Sequence, residues 1–308
     1  MTLAVLRRRN RMRIFVTLLL ATVLYWLAVM IAAVVVGVVL FVRIFAEGGD
    51  VPTDRDGLVV VGVILLGVVV LSAIIGTFIS LVRLPRLRAR LEQRVLAETG
   101  AHVDTGDDHA RVRNILEALA IAADIPPPRF AVVADDAPNS FAVGTRPKRA
   151  IVAVTSGAIE KLSRDELEAI LAYEVSRIDS FDVALSSWTV ALTGAAIAAM
   201  DDGVTQFIGW IPYKGSIWLQ SWATRDTARE RDRAAVRFTR NPVSLIDALE
   251  VLDRDDTEIH AVTRATAPLW IEVPRRVYGT DAPRLSERIV ALRELAGLEP
   301  EAPQEQPQ

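Results

Sequence analysis

Leu162-Ser163-Arg164-Asp165-Glu166-Leu167-Glu168-Ala169-Ile170-Leu171-Ala172-Tyr173-Glu174-Val175-Ser176-Arg177-Ile178 is the stretch whose reading decides the architecture. Ser163 followed three residues later by Glu166 is a capping-box pattern, in which side chain and backbone satisfy each other's free groups at a helix start. Leu167, Ile170, Leu171, Glu174 and Ile178 then recur at three and four residues, the spacing of one helix face. The pattern predicts a helix with Glu174 at the margin of a buried face.

Upstream of this helix lie short β-branched or aromatic runs, Phe130 to Val133 and Ile151 to Thr155, with Phe141-Ala142-Val143-Gly144 between them. Asp135, Asp136, Pro138 and Gly157 bound these runs, which predicts a small, mainly antiparallel sheet. Before the sheet, Val112, Ile115, Leu116 and Leu119 have the spacing of an amphipathic helix, and Ile125-Pro126-Pro127-Pro128 ends it, because proline lacks the donor that would continue the ladder. The arginine-rich segment from Leu84 to about Gly100 reads as a helix leaving the membrane interface.

The chain has 308 residues, of which 51% are hydrophobic. Their placement matters more than their number. Ile14 to Val42 is 29 residues without a charge and Gly57 to Val82 is another 26. Each exceeds the roughly 20 residues that a helix needs to cross a bilayer. Arg7, Arg8, Arg9, Arg11 and Arg13 precede the first run, and Arg83, Arg86, Arg88, Arg90 and Arg94 follow the second. The loop between the runs carries Glu47, Asp50, Asp54 and Asp56 against Arg43 and Arg55. Basic flanks mark the cytoplasmic side, so residues 1–84 are expected to form a transmembrane hairpin and the polar remainder to face the cytosol.

A net charge of -3 gives no polyanion-binding surface, and the lipid bilayer rather than nucleic acid is the expected partner of the arginines. The absence of cysteine excludes disulfides, thiolate metal sites and cysteine nucleophiles. Ser156, Ser163 and Ser176 have no neighbouring His or Lys pattern to activate a hydroxyl.

A third charge-free run, Val183 to Met200, holds 18 residues and is followed by an aromatic-rich stretch to Thr224. Two readings stand for 183–224: a second membrane hairpin, or a buried or re-entrant helical pair. A charged helix follows, broken at Asn241-Pro242. Helical spacing returns from Val243 to Leu252 and again from Pro283 or Leu285 to about Leu295. The tail 299–308 is too polar to pack and is expected to be disordered.

Tyr173-Glu174-Val175-Ser176-Arg177 stands where a zinc protease carries His-Glu-x-x-His, and the surrounding residues resemble the HtpX-like family of membrane zinc metallopeptidases. Asn139-Ser140-Phe141-Ala142-Val143-Gly144 is similar to that family's edge-strand element, against which peptide substrates are laid. Asp179 to Asp182 resembles the continuation of its motif helix. The resemblance, over roughly Pro126 to Arg293, implies an α+β, multi-pass membrane protein with a mostly helical zincin-like metallopeptidase domain and a small antiparallel sheet. Residues 85–298 would be that domain.

What the resemblance implies for the metal is negative. The first two zinc-ligand positions fall on Tyr173 and Arg177; anchoring the later pattern on Thr239-Arg240-Asn241-Pro242 places the third on Ala228 and the family's Asp on Asp232. A phenol ligates weakly at neutral pH, a guanidinium offers only donors, and alanine has no donor atom. Glu230, about 200° around the helix from Ala228, does not replace it. The late Thr-His-Pro element falls near Thr280 to Pro283, again without histidine. His102, His109 and His260 are too scattered to form a substitute site. Zinc is therefore the family's cofactor but none is expected here.

Glu174 keeps the general-base position. Two arrangements are open for the rest: Arg177, with Tyr173, fills the former metal cavity and satisfies Glu174 and Asp232, or these side chains turn to solvent. The leading functional expectation is an inactive pseudo-metallopeptidase, with a peptide or membrane-protein client bound at Asn139 to Gly144 in a scaffold or regulatory role. The alternative is an active membrane endopeptidase of membrane-protein quality control, and a third is a structural protein whose old cleft is filled. A blocked strand edge would favour the third.

Overall fold

The computed structural model describes residues 3–46, 55–200, 206–224, 228–263, 265–273 and 285–298. The acidic loop, Asp201 and Asp202, Thr280 to Pro283 and the tail 299–308 lie outside the described residues, as does most of the loop's flanking side-chain detail. In chain order the elements are α1 (Leu3–Ala46), α2 (Arg55–Thr99), β1 (Ala101–Val103), α3 (Ala110–Ala122), β2 (Arg129–Val133), β3 (Ser140–Val143), β4 (Ile151–Thr155), α4 (Ser156–Lys161), α5 (Arg164–Asp179), α6 (Asp182–Met200), α7 (Gln206–Thr224), α8 (Ala228–Thr239), α9 (Pro242–Arg254) and α10 (Leu285–Ala296). They form two compact units, one of Met1–Ile14, Arg90–Val190 and Ala223–Gln308, the other of Phe15–Ala89 and Ala191–Trp222.

In the second unit α1 and α2 are the two described helices long and apolar enough to cross a membrane. Only 11% of each apolar window is buried within the protein, so Val35, Val36, Leu65, Leu66 and Phe78 face outward. A contiguous apolar surface of this length is covered by lipid hydrocarbon. Gly76 is where the two helices meet, since a Cβ there would lie 2.9 Å from Trp26 Cα, whereas Gly37, Gly62 and Gly67 have nothing within 4 Å. The segment after Leu84 is helical as expected, and it continues α2 through Pro85 without a break. Proline's fixed φ is itself helical and its missing N–H removes one bond, not the helix.

Residues 183–224 form α6 and α7. Neither passes as a span by itself; α5 and α6 do so only as a pair bent by 77°. The first two-thirds of α6, from Asp182 to Gly194, is continuously buried, which places Ser186, Ser187, Thr189 and Thr193 inside the protein. That burial sets this part of α6 against protein rather than lipid.

The first unit holds a four-stranded sheet in the order β1-β2-β4-β3. β1 with β2 and β3 with β4 are antiparallel, while β2 and β4 are parallel, Arg129 opposite Ile151. Chain direction reverses twice between β2 and β4, once into β3 and once at Pro147–Arg149, so β4 must run beside β2 in the same sense. Gly144 makes the second reversal possible: its φ is +153° and a Cβ would lie 2.8 Å from Ala150 Cα. β3 is left as an edge.

α5 begins as the sequence predicts. Ser163 N donates to Glu166 Oε2 at 2.7 Å and Glu166 N to Ser163 Oγ at 3.3 Å. From Ala169 to Asp179 every residue is buried, so Glu174 is not marginal but central. The reason is tertiary: α3, α8, α9 and β3 all pack on this one helix, and no side of its second half remains for solvent. The start of α1 belongs to the same unit. Arg7 pairs with Asp179, Asn10 Nδ2 donates to Ser180 O at 2.9 Å and Arg11 lies 4.3 Å over the Phe181 ring. Phe181, with φ +62°, makes the corner from α5 into α6.

Candidate functional site

Tyr173, Glu174 and Arg177 project from the buried half of α5, where Glu174 and Arg177 have no solvent exposure and Tyr173 has 2%. Arg177 Nη1 donates to Glu174 Oε2 at 2.9 Å, and Arg177 Nε donates to Asp182 Oδ2 at 2.9 Å. Ser140 Oγ donates to the other oxygen of Glu174 at 2.9 Å. Arg231, from α8, closes the far side by donating to Asp182 Oδ1 at 2.9 Å. Of the two arrangements open in the sequence, the guanidinium turned inward is the one adopted.

Asp232 joins through a different cation. The expectation that Arg177 reaches it is corrected: Arg288 on α10 holds Asp232 in a fork, Nε to Oδ2 at 3.1 Å and Nη2 to Oδ1 at 2.7 Å. Arg177 instead spends Nη1 on Glu174 and Nε on Asp182, which lie on its own helix and the next turn of chain. Tyr173 sits between the two systems, its ring 5.6 Å from the Arg177 guanidinium carbon and 5.2 Å from that of Arg288. Arg177, Arg231 and Arg288 thus face Glu174, Asp182 and Asp232, and the formal charges cancel. Ala228 opens α8 one turn before Asp232; its side chain lies outside the described detail.

Burial pushes the Glu174 carboxyl above its ordinary value, and Arg177 and the Ser140 hydroxyl oppose this without cancelling it. For Arg177, burial favours the neutral form, but Glu174 and Asp182 outweigh it and the guanidinium stays protonated. At Asp182 burial is likewise outweighed, by Arg231 and Arg177, so this carboxyl is held below the usual range. The site is a set of fixed ion pairs with no free lone pair presented by Arg177.

Asn139 to Val143 are all buried, and the open edge of β3 is taken by the chain's own segment after α9, a blocked edge of the kind that favours the structural reading. Phe141 and Trp270 form an antiparallel bridge, with their ring centroids 4.6 Å apart. Ile271 N donates to Ser140 O at 2.9 Å, and the Asn139 amide clips Glu272, donating to its carbonyl at 3.0 Å and accepting from its N–H at 3.3 Å. The same segment offers carbonyls to the ion-pair cluster: Leu269 O accepts from Arg177 Nη1 at 2.7 Å and Ile271 O from Arg288 Nη1 at 2.9 Å. Gly144 N donates to Ser187 Oγ at 2.9 Å.

These residues do not fit the family's zinc. A divalent cation would meet the protonated Arg177 where an imidazole lone pair is needed, and among the described residues no three His, Asp or Glu side chains converge as ligands. His109 packs edge-on to Phe130 at 6.0 Å and His260 donates its backbone N–H to Asp135 at 2.8 Å.

The framework nonetheless places the chain. The model of Peptidase family M48 matches residues 107–296. The chain belongs to peptidase family M48. It is 30% identical over 267 residues to "Protease HtpX homolog" of Streptococcus agalactiae serotype III, covering 76% of this chain and 90% of the relative. The protein of the same name from Streptococcus gordonii is 29% identical over 75% of this chain and 87% of its own length, and that from Listeria monocytogenes serotype 4b is 29% identical over 67% and 77%. No solved structure matches the chain.

Within this M48 framework, sequence reasoning named Asp182 without giving it a role and passed over Arg231, Arg288 and Leu269 to Glu272. Arg288 carried a signal, since it shares the buried face of α10 with Leu285, Ile289 and Leu292. Glu272 carried none. Burial and the nearby Asp253, with Asp255 adding and Arg288 opposing, push its carboxyl up to about 7.

Between its ordinary value of 4.5 and about 7, a docked Glu272 holds a proton that a released one loses. Docking is then strongest below the ordinary value and weakens as pH rises toward 7, levelling off above it. Hydrogen exchange at 269–272, corrected for intrinsic rates, is expected to be faster at about pH 7.5 than at about pH 5.5, and Glu272→Gln to abolish the difference.

Proposed function

We propose that this chain is a membrane-anchored, non-catalytic member of family M48, its main domain on the cytoplasmic side, with a scaffold or regulatory role toward polypeptide or membrane-protein clients. The observation that carries the reading is Arg177: a fully buried guanidinium that donates at once to Glu174 and to the Leu269 carbonyl. A catalytic Glu must be free to take a proton from water polarised by a metal. Here Glu174 spends both oxygens on Ser140 and Arg177, and its role is to keep the arginine neutralised. The arginines flanking α1 and α2 support the cytoplasmic placement.

The relatives' name, a protease, favours the active alternative. The test is cleavage of an unfolded substrate such as casein by detergent-purified protein supplied with zinc. The expected activity equals that of Glu174→Gln. Zinc-dependent cleavage that Glu174→Gln abolishes would overturn the proposal.

A further inference from the structure

We propose that Leu269–Glu272 is a resident occupant of the peptide-binding edge, a built-in substrate mimic that an extended polypeptide must displace to add to β3. The inference rests on the reading of the cleft as metal-free and deepens it by naming what regulates access.

An extended segment recognised by an edge strand is held through its backbone, with alternate side chains seated in pockets. Trp270 to Glu272 is held in that way, entering from a 3-10 turn at Ala267–Leu269. Its backbone pairs antiparallel with Phe141 and donates to Ser140 O, and the Asn139 amide reads both the N–H and the carbonyl of Glu272. Trp270 supplies the aromatic anchor on Phe141. The Leu269 carbonyl is also held by the cation at the second ligand position, with Glu174 on the same nitrogen. A scissile carbonyl beside a Lewis acid and a carboxylate would be placed alike, but guanidinium only hydrogen-bonds it.

The docked arrangement carries local costs that a displacing strand can relieve. Trp270 Nε1 and Arg177 Nη2 are buried without a hydrogen-bond partner. Such orphaned groups weigh against the docked state, and Glu272 is clipped in place although it is only half-buried and Asp253 and Asp255 lie near it. The segment is thus well matched in backbone and imperfectly matched in polar side chains. That combination suits a competitor. The partner chemistry follows: an extended peptide with an aromatic residue to stack on Phe141 and free backbone N–H and carbonyl groups on either side.

The experiment uses the full-length protein in detergent and a fluorescent peptide of the sequence Ala-Pro-Leu-Trp-Ile-Glu-Val, the chain's own 267–273. Ile271→Pro removes the N–H given to Ser140 and loosens the resident segment while leaving β3 intact; Trp270→Ala does so by removing the ring contact. Both variants are expected to bind the peptide at least about tenfold more tightly than wild type, because the open state is more populated. A peptide N-methylated at its isoleucine should lose that gain.

Equal binding by wild type and both variants, or loss of cooperative unfolding in both, would show the segment to be a permanent part of the core and end the inference. Zinc-dependent cleavage of the bound peptide would instead sink the non-catalytic reading and this inference with it, whereas equal binding without cleavage ends the inference alone.

Discussion

Arg177→Met is expected to destabilise the domain by ~3–5 kcal/mol, the range seen when one partner of a buried ion pair is removed. The substitution preserves much of the side-chain volume, so the loss isolates charge and hydrogen bonding. It leaves Glu174 buried with Ser140 alone, withdraws one of the two cations on Asp182 and strips the Leu269 carbonyl of its donor. Glu174→Gln with Arg177→Met should cost less than the sum of the two single changes, because the stranded carboxylate is then gone. Chemical unfolding in detergent checks this. A loss for Arg177→Met under about 1 kcal/mol would mean that the pair is no more than a surface bridge.

Arg288→Met is the second large effect, again ~3–5 kcal/mol, and for a partly different reason. Asp232 loses a two-point fork at 3% side-chain exposure, and Ile271 loses the donor to its carbonyl. The variant should therefore lose stability and also quicken hydrogen exchange at 269–272. Arg288→Lys is expected to recover only part of the stability, since an ammonium cannot make the planar fork and reach the third acceptor. Full recovery by lysine would show that only charge matters there.

The physical reach of the sequence differs between these two clusters. Glu174 and Arg177 stand one turn apart on a helix that announces itself by its cap and its spacing, so their pairing was readable. Asp232 and Arg288 are far apart in the chain, and nothing in local periodicity says which cation meets which carboxylate. The two long apolar runs showed the membrane helices because lipid imposes length and charge rules on sequence alone. α6 resisted such a reading, since a run rich in Ala, Ser and Thr looks alike whether lipid or protein surrounds it. Asn139 to Gly144 was legible as an edge strand through its family pattern. What covers that edge was not, because Trp270 and Ile271 form only one isolated bridge and leave no strand-length pattern.

The fully buried, protonated Arg177 also makes the strongest claim about chemistry, that an internal cation holds the place where relatives need ligands. Zinc content of the detergent-purified chain, measured after equilibration with zinc and removal of the unbound ion, tests it most directly. Far less than one zinc per chain is expected, unchanged by Glu174→Gln or Tyr173→Phe. One tightly held zinc per chain that Tyr173→Phe releases would contradict it.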